Sequence, residues 1–264
     1  MKNKIALIFF TLVLFACNSK QQNDKENTIN NTKKEKIGKS KPVDSIHYQI
    51  SIYDNAKFKD EIKDHKESLK KLSEKKLFLN IHNKLIQKLT VEQQSFFNTN
   101  SNYELLAVAE GNLFEENSND LVFIVYDKEN VKISILTYNG ITSKYAILYE
   151  DIKVENGLEN ANCGSYSFGT LDYQIAEEFL IYKEETLVKN LDSYLEYSPV
   201  KITDLSKDEK FLLKDGCFAK KVSRTNLANT LCLATSSVYN NWECLRYNKT
   251  NNTFLIFYSQ AFAD

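Results

Sequence analysis

The chain has 264 residues, of which 42% are hydrophobic and 26% charged, with only 7 Gly and 2 Pro. This composition excludes collagen-like chains, Pro/Gly-rich low-complexity chains and predominantly disordered chains. The 34 basic residues nearly balance 35 acidic ones, for a formal net charge of −1. A strongly basic nucleic-acid-binding protein is therefore excluded, and no nucleic acid is expected as a partner.

The chain begins with the pattern of an export signal. A short basic region precedes an apolar run that is too short to span a membrane comfortably. The run ends in Leu14-Phe15-Ala16-Cys17, which resembles the lipobox of bacterial lipoproteins. The resemblance implies that residues 1–16 are a cleaved signal peptide and that Cys17 carries diacylglycerol and a fatty acyl chain such as palmitate. An ordinary secretory signal that happens to contain a cysteine is the alternative.

Residues 17–44 are predicted to form the lipidated cysteine and a flexible tether. The stretch 18–44 holds seven Lys against four acidic residues and few aliphatic ones, so it cannot bury enough apolar surface to order itself. No Asp follows Cys17, so the lipoprotein resemblance implies a lipid-anchored protein of the outer membrane. Whether the protein faces the periplasm or the cell surface stays open.

Residues 45–264 are predicted to be a single β-rich domain with a net charge of about −6. A possible first strand covers residues 47–53. An amphipathic helix is predicted near 56–76, because apolar side chains and one histidine recur there at steps of four and three residues. These residues are Phe58, Ile62, His65, Leu69 and Leu72. The following residues, 77–89, fit either a strand or a second helix.

From Tyr103 onward the pattern changes to short runs of branched and aromatic residues about ten residues apart. Tight turns are predicted at 127–130 and 139–140, and a hairpin with an Asn-rich turn at 248–252 ends the chain. Such spacing is typical of an antiparallel meander. The predicted fold class is therefore α+β, mainly antiparallel β, as a meander or a partial propeller-like sheet, with an amphipathic N-terminal helix.

One loop carries a specific resemblance. Residues 109–122 resemble the calcium loop of FG-GAP/integrin-propeller repeats, with Asn112, Glu116 and Asp120 at ligand positions and Asn117 in place of a glycine. Calcium binds six to eight oxygen atoms, whereas Phe114 offers no side-chain ligand. We therefore expect a turn that has kept its shape, a remnant of a calcium loop, and no metal site and no cofactor.

Four cysteines follow the proposed lipidated one: Cys163, Cys217, Cys232 and Cys244. An even number in an exported chain predicts two disulfides, for which three pairings are possible. The pairing Cys232–Cys244 with Cys163–Cys217 is preferred, since the first encloses a short loop.

The sequence shows no nucleophile motif, phosphate-binding loop or dinucleotide fingerprint. Two segments rich in aromatic, hydroxyl and amide side chains form the candidate binding surface. Its named residues are Tyr166, Phe168, Asp172, Tyr173, Tyr239 and Trp242.

These features predict a cell-envelope lipoprotein whose β-rich domain binds a protein or glycan partner without catalysis. One alternative is an envelope inhibitor or immunity lipoprotein. Another is an envelope hydrolase using carboxylates such as Glu177 or Asp172, so an enzyme is disfavoured but left open.

Overall fold

In the computed structural model of the chain, three helices precede two β-sheets. The structure describes residues 59–157, 189–196, 198–207, 217–218, 227–236 and 241–260. The predicted signal peptide, the lipidated cysteine, the tether and the possible strand at 47–53 lie outside these residues. Among the described residues, no helix is both long and apolar enough to cross a membrane.

The helices pack by apolar faces, as the sequence periodicity predicts. Helix α1 spans Lys59–Glu74 and buries Leu69 and Leu72, while His65 lies half-buried at the boundary. The ambiguous segment after it is a helix, α2 (Leu77–Leu85), followed by a 3-10 turn at Ile86–Lys88. The buried side chains of α2 are Leu77, Phe78, Ile81 and Leu85, a spacing that places them on one helical face.

Helix α3, Val91–Thr99, is an element that the sequence analysis did not predict. Thr90 caps it: its hydroxyl accepts a hydrogen bond from Gln93 N at 3.3 Å, and Gln93 Oε1 accepts one from Thr90 N at 3.0 Å. This reciprocal capping box satisfies two amides that the first turn leaves without helical partners.

The first sheet is the predicted antiparallel meander, in the order β1-β2-β3-β4. Its strands are β1 Tyr103–Gly111, β2 Asp120–Asp127, β3 Lys132–Asn139 and β4 Lys144–Ile147. Every residue of β2 is buried, which makes this strand the centre of the domain core.

The second sheet has the order β5-β9-β8-β7-β6 and brings distant segments together. It contains β5 Val154–Asn156, β6 Val200–Thr203, β7 Thr230–Ser236, β8 Asn241–Asn248 and β9 Thr253–Gln260. Strands β8 and β9 form the predicted C-terminal hairpin, and all pairs are antiparallel except β5–β9. Together the sheets and helices confirm the α+β, mainly antiparallel class.

The two sheets share one hydrophobic core with the helices. A side chain at Gly111 would place its Cβ 2.8 Å from Ile202, so β1 and β6 approach closely there. Tyr194, on the short helix α4 (Leu191–Glu196), donates a hydrogen bond from its buried hydroxyl to Leu106 O at 2.8 Å. The other face of the second sheet supports a smaller cluster, formed by Leu205, Phe218, Leu227, Cys232, Cys244 and Phe257.

Candidate functional site

Trp242 is the member of the predicted binding surface that the structure describes. Tyr166, Phe168, Asp172, Tyr173 and Tyr239 lie outside the described residues, as does Glu177, proposed for the hydrolase alternative. Trp242 lies on β8, half-buried against the smaller cluster. The Nζ atom of Lys201 lies 4.1 Å from the centre of a Trp242 ring, a cation–π contact.

The strand register explains why these two side chains meet. Lys201 pairs with Cys232, which pairs in turn with Cys244. Side chains two residues apart on a strand share a face, so Trp242 lies on the same face as Cys244. The surface around Trp242 is thus an aromatic and cationic patch on the side of the second sheet that carries the smaller cluster.

The predicted disulfide Cys232–Cys244 is confirmed, and Cys244 lies on the same face of β8 as Trp242. The two cysteines are Cα partners on neighbouring strands, 4.1 Å apart, and both are fully buried. Cys217 is also in a disulfide. Cys163 lies outside the described residues, so its pairing with Cys217 stays a prediction.

The calcium-like loop is closed by the protein's own hydrogen bonds. Asp120 is fully buried, and its Oδ2 accepts bonds from Leu113 N and Phe114 N, both at 2.8 Å, and from the Ser118 hydroxyl. Its Oδ1 accepts a bond from Gly140 N at 2.9 Å. Both carboxylate oxygens therefore accept hydrogen bonds from protein donors.

The other residues of the loop explain how it keeps its shape. Asn117 has φ 60°, a left-handed conformation that suits the glycine of the family pattern and that Asn tolerates better than most residues. Asn112 Oδ1 accepts a bond from Asn119 N at 3.3 Å, and Glu116 is exposed. Among the described residues, no group of three or more metal-ligating side chains occurs.

A second buried carboxylate, that of Glu104, has far fewer hydrogen-bond partners. It is 6% exposed, and its Oε1 lies 3.5 Å from Lys128 Nζ, while its buried Oε2 has no hydrogen-bond partner. Burial raises the pKa of Glu104, an effect that Lys128 opposes. Across the strand pair stands Tyr126, whose side chain hydrogen-bonds to Ser73 of α1 and packs on Phe78 of α2 at a centroid distance of 4.9 Å.

His82 joins helix α2 to the same strand. Its Nδ1 accepts a hydrogen bond from Leu105 N at 3.0 Å, beside the irregularity in β1 between Leu105 and Ala107. Burial lowers the pKa of His82, and the positive charge of Lys128 lowers it further. The neutral imidazole is the form that can accept this bond, because both ring nitrogens become donors on protonation.

Glu104, His82, Tyr126 and Lys128 form what we call the titratable corner. Sequence reasoning missed it. A lone glutamate at the start of an apolar strand does not indicate that its side chain is buried. Its partner Lys128 is 24 positions away, in the turn between β2 and β3. Since the free oxygen of Glu104 is buried under helices, the corner can respond to protons, but it presents no open carboxylate to a substrate.

Compared with known proteins, the chain matches no family model, no curated protein and no solved structure.

Proposed function

We propose that the protein is a lipid-anchored protein of the cell envelope whose β-rich domain binds a protein or glycan partner, without catalysis, through the surface around Trp242. The lipid anchor would be Cys17, and the outer membrane is the proposed location. The observation that carries the binding proposal is the half-buried Trp242 with Lys201 stacked on it. Tryptophan is one of the residue types that are enriched at the energetic centres of interfaces.

The Cys232–Cys244 disulfide supports an exported location. Disulfides persist outside the reducing cytosol and are rare inside it. Because this one joins β7 to β8, the strand that carries Trp242, it also stiffens the strand pair that would present the ring. A rigid anchor residue loses less entropy on binding than a flexible one.

The anchor is tested by metabolic labelling with a fatty-acid analogue. The wild-type chain is expected to incorporate the label and to fractionate with membranes, and Cys17→Ser is expected to do neither. A wild-type chain that stays unlabelled while it is exported would contradict the lipoprotein proposal.

The binding surface is tested by capture from solubilised envelope, with the full lipidated chain as bait. Trp242→Ala and Lys201→Ala are expected to reduce recovery of a stoichiometric partner about tenfold, as loss of an interface anchor does. Ile141→Ala is the matched control, since Ile141 is 59% exposed in the turn between β3 and β4. Equal recovery with all three variants would show that the partner binds elsewhere, and a captured hydrolase or toxin would select the inhibitor alternative.

A further inference from the structure

Charge is distributed unevenly between the helices and the rest of the domain. Residues 59–100 contain nine lysines and six acidic residues, whereas residues 101–264 contain 15 basic and 24 acidic residues. The helical layer is therefore net positive by three charges, whereas the described residues after position 100 hold nine basic and 14 acidic side chains and are net negative by five. Such an asymmetry gives the domain a preferred orientation next to a charged surface.

The positive charge concentrates where α1 ends and α2 begins. Four lysines lie there within seven residues, with Glu74 as the one acidic residue among them: Lys70, Lys71, Lys75 and Lys76. All four are exposed. We call this group the basic corner.

The neighbouring acid Glu74 neutralises Lys70 of the basic corner only in part. Lys70 lies 4.0 Å from Glu74, but the two side chains are 67% and 63% exposed, and such a pair is weak in water. Lys76 adopts φ 61° and ψ 19°, a left-handed conformation that glycine or asparagine would adopt at lower energy. A lysine at this position is not explained by backbone preference, which is consistent with a role for its charge.

We propose that the basic corner binds the anionic headgroups of the bilayer that carries the lipid anchor. This inference rests on the proposed acylation of Cys17. Helix α1 is the first described element after the tether in the chain, so an anchored chain reaches this layer before it reaches the sheets. Lysines held within a Debye length of anionic lipid are attracted to it, while the acidic part of the domain is repelled.

The consequence concerns partner binding. Electrostatic attraction at the basic corner would hold the helical layer toward the lipid and leave the acidic sheets, with the surface around Trp242, facing the solvent. A flexible tether alone would impose no such orientation.

Lysine acetylation footprinting tests the proposal on the native lipidated chain. The protein is reconstituted into vesicles of phosphatidylcholine alone or with about 30% phosphatidylglycerol, a negative surface that attracts lysines. On the anionic vesicles, acetylation of the basic corner is expected to slow about fivefold, and about 0.5 M NaCl is expected to remove the protection. Lys144, Lys207 and Lys249, all exposed in the acidic part, are the internal controls and are expected to keep their rates.

Two charge-matched triple variants sharpen the test. Lys71→Gln/Lys75→Gln/Lys76→Gln is expected to lose the protection of the remaining Lys70. Lys144→Gln/Lys207→Gln/Lys249→Gln, with the same loss of charge elsewhere, is expected to retain it. Circular dichroism confirms that both variants are folded before the vesicles are added.

The outcomes separate this inference from the proposed function. An acyl mass on Cys17 with equal acetylation rates on neutral and anionic vesicles would overturn the inference and leave the anchor intact. If the basic corner is protected from acetylation equally on both kinds of vesicle, or is still protected at high salt, the inference is also overturned. Such protection needs only that the lysines lie near the bilayer, without attraction to anionic headgroups. A chain without any acyl mass would overturn both.

Discussion

Each end of the β1–β2 strand pair holds a buried carboxylate, but the two carboxylates differ in how many hydrogen-bond donors surround them. At one end, Asp120 pairs with Gly111 and accepts four hydrogen bonds from three backbone amides and a hydroxyl. At the other end, Glu104 pairs with Tyr126 and has one lysine 3.5 Å away and an oxygen without a partner. Burial is similar at the two ends, so the difference lies in the donors that surround each group.

The comparison separates a structural carboxylate from a responsive one. A buried charge that is fully hydrogen-bonded stabilises the fold, whereas one that lacks partners costs free energy and shifts its protonation instead. Asp120 therefore fixes the conformation of its loop through the hydrogen bonds that it accepts. For Glu104, with His82 nearby on the helical side of β1, we expect the contact between the helices and the sheet to depend on pH.

Asp120→Asn gives the largest expected effect. The amide cannot accept all four bonds, so buried donors are left unsatisfied, and the free energy of unfolding is expected to fall by about 3 kcal/mol or more. Urea denaturation measures it, with Glu116→Gln as an exposed control on the same loop that should change stability by less than about 0.5 kcal/mol.

Calcium distinguishes the two explanations of the Asp120 loop. If protein donors alone satisfy the carboxylate, neither calcium nor a chelator should change the midpoint of thermal unfolding of the wild-type chain. A calcium-dependent rise in that midpoint, abolished by Asp120→Asn, would show that the loop binds the ion after all.

The contrast between the two ends also marks what a sequence can reveal. The helical stripe of α1, the alternation of β3 and the C-terminal hairpin depend on neighbours along the chain, and they were predictable. The capping box at Thr90 and Gln93 has an equally local signature, yet its helix was not predicted because residues 91–99 show little apolar periodicity.

Features that depend on distant partners were not predictable. Strand β5 pairs with β9, about one hundred residues later, and no local pattern marks that choice. Glu104 likewise differs from a surface glutamate only through the helices that cover it. By contrast, the Asp120 loop was recognisable, because its donors come mostly from within the loop.

Lys128→Met tests the opposite end of the strand pair. Without the lysine, Glu104 loses the charged partner that the described residues give it, so at pH 8 the free energy of unfolding is expected to fall by about 1–2 kcal/mol. The cost stays below that of Asp120→Asn because Glu104 can take up a proton. The same substitution in a Glu104→Gln background is expected to cost less than about 0.5 kcal/mol, and equal costs in both backgrounds would show that the pair does not interact.

His82→Asn tests the pH dependence of the helix contact. The folded pKa of His82 lies below the ordinary 6.5, so the unfolded chain takes up the proton first. The stability contributed by neutral His82 is present above pH 6.5 and is lost as the pH falls, by at most about 1.4 kcal/mol per pH unit. Asn keeps an acceptor near the position of Nδ1 without titrating, so its stability should fall less between pH 6.5 and 5.5.

The control for His82 is His65→Asn, since His65 is half-buried on α1. It makes the same chemical change elsewhere in the helical layer, so the difference between the two variants isolates the effect of His82. Hydrogen exchange at Leu105 N adds a local readout. A protection factor that falls on acidification in the wild-type chain but not in His82→Asn would connect the loss of stability to this bond, and an unchanged protection factor would contradict the assignment.

Glu104→Gln gives the smallest expected change in the free energy of unfolding. The sign of that change distinguishes a responsive carboxylate from a structural one. The pKa of Glu104 is raised above its ordinary 4.5, so its contribution to stability is present below that pH and is lost as the pH rises through the folded pKa. Replacing the carboxyl by a neutral amide should therefore stabilise the protein at pH 7, by about 0.5 kcal/mol, and should have little effect at pH 4.

Asp120→Asn is expected to destabilise the protein at pH 7, so the two amide substitutions should change the free energy of unfolding in opposite directions at that pH. Destabilisation by Glu104→Gln at pH 7 would mean that its charge is favourably held, and the two ends of the strand pair would then be alike.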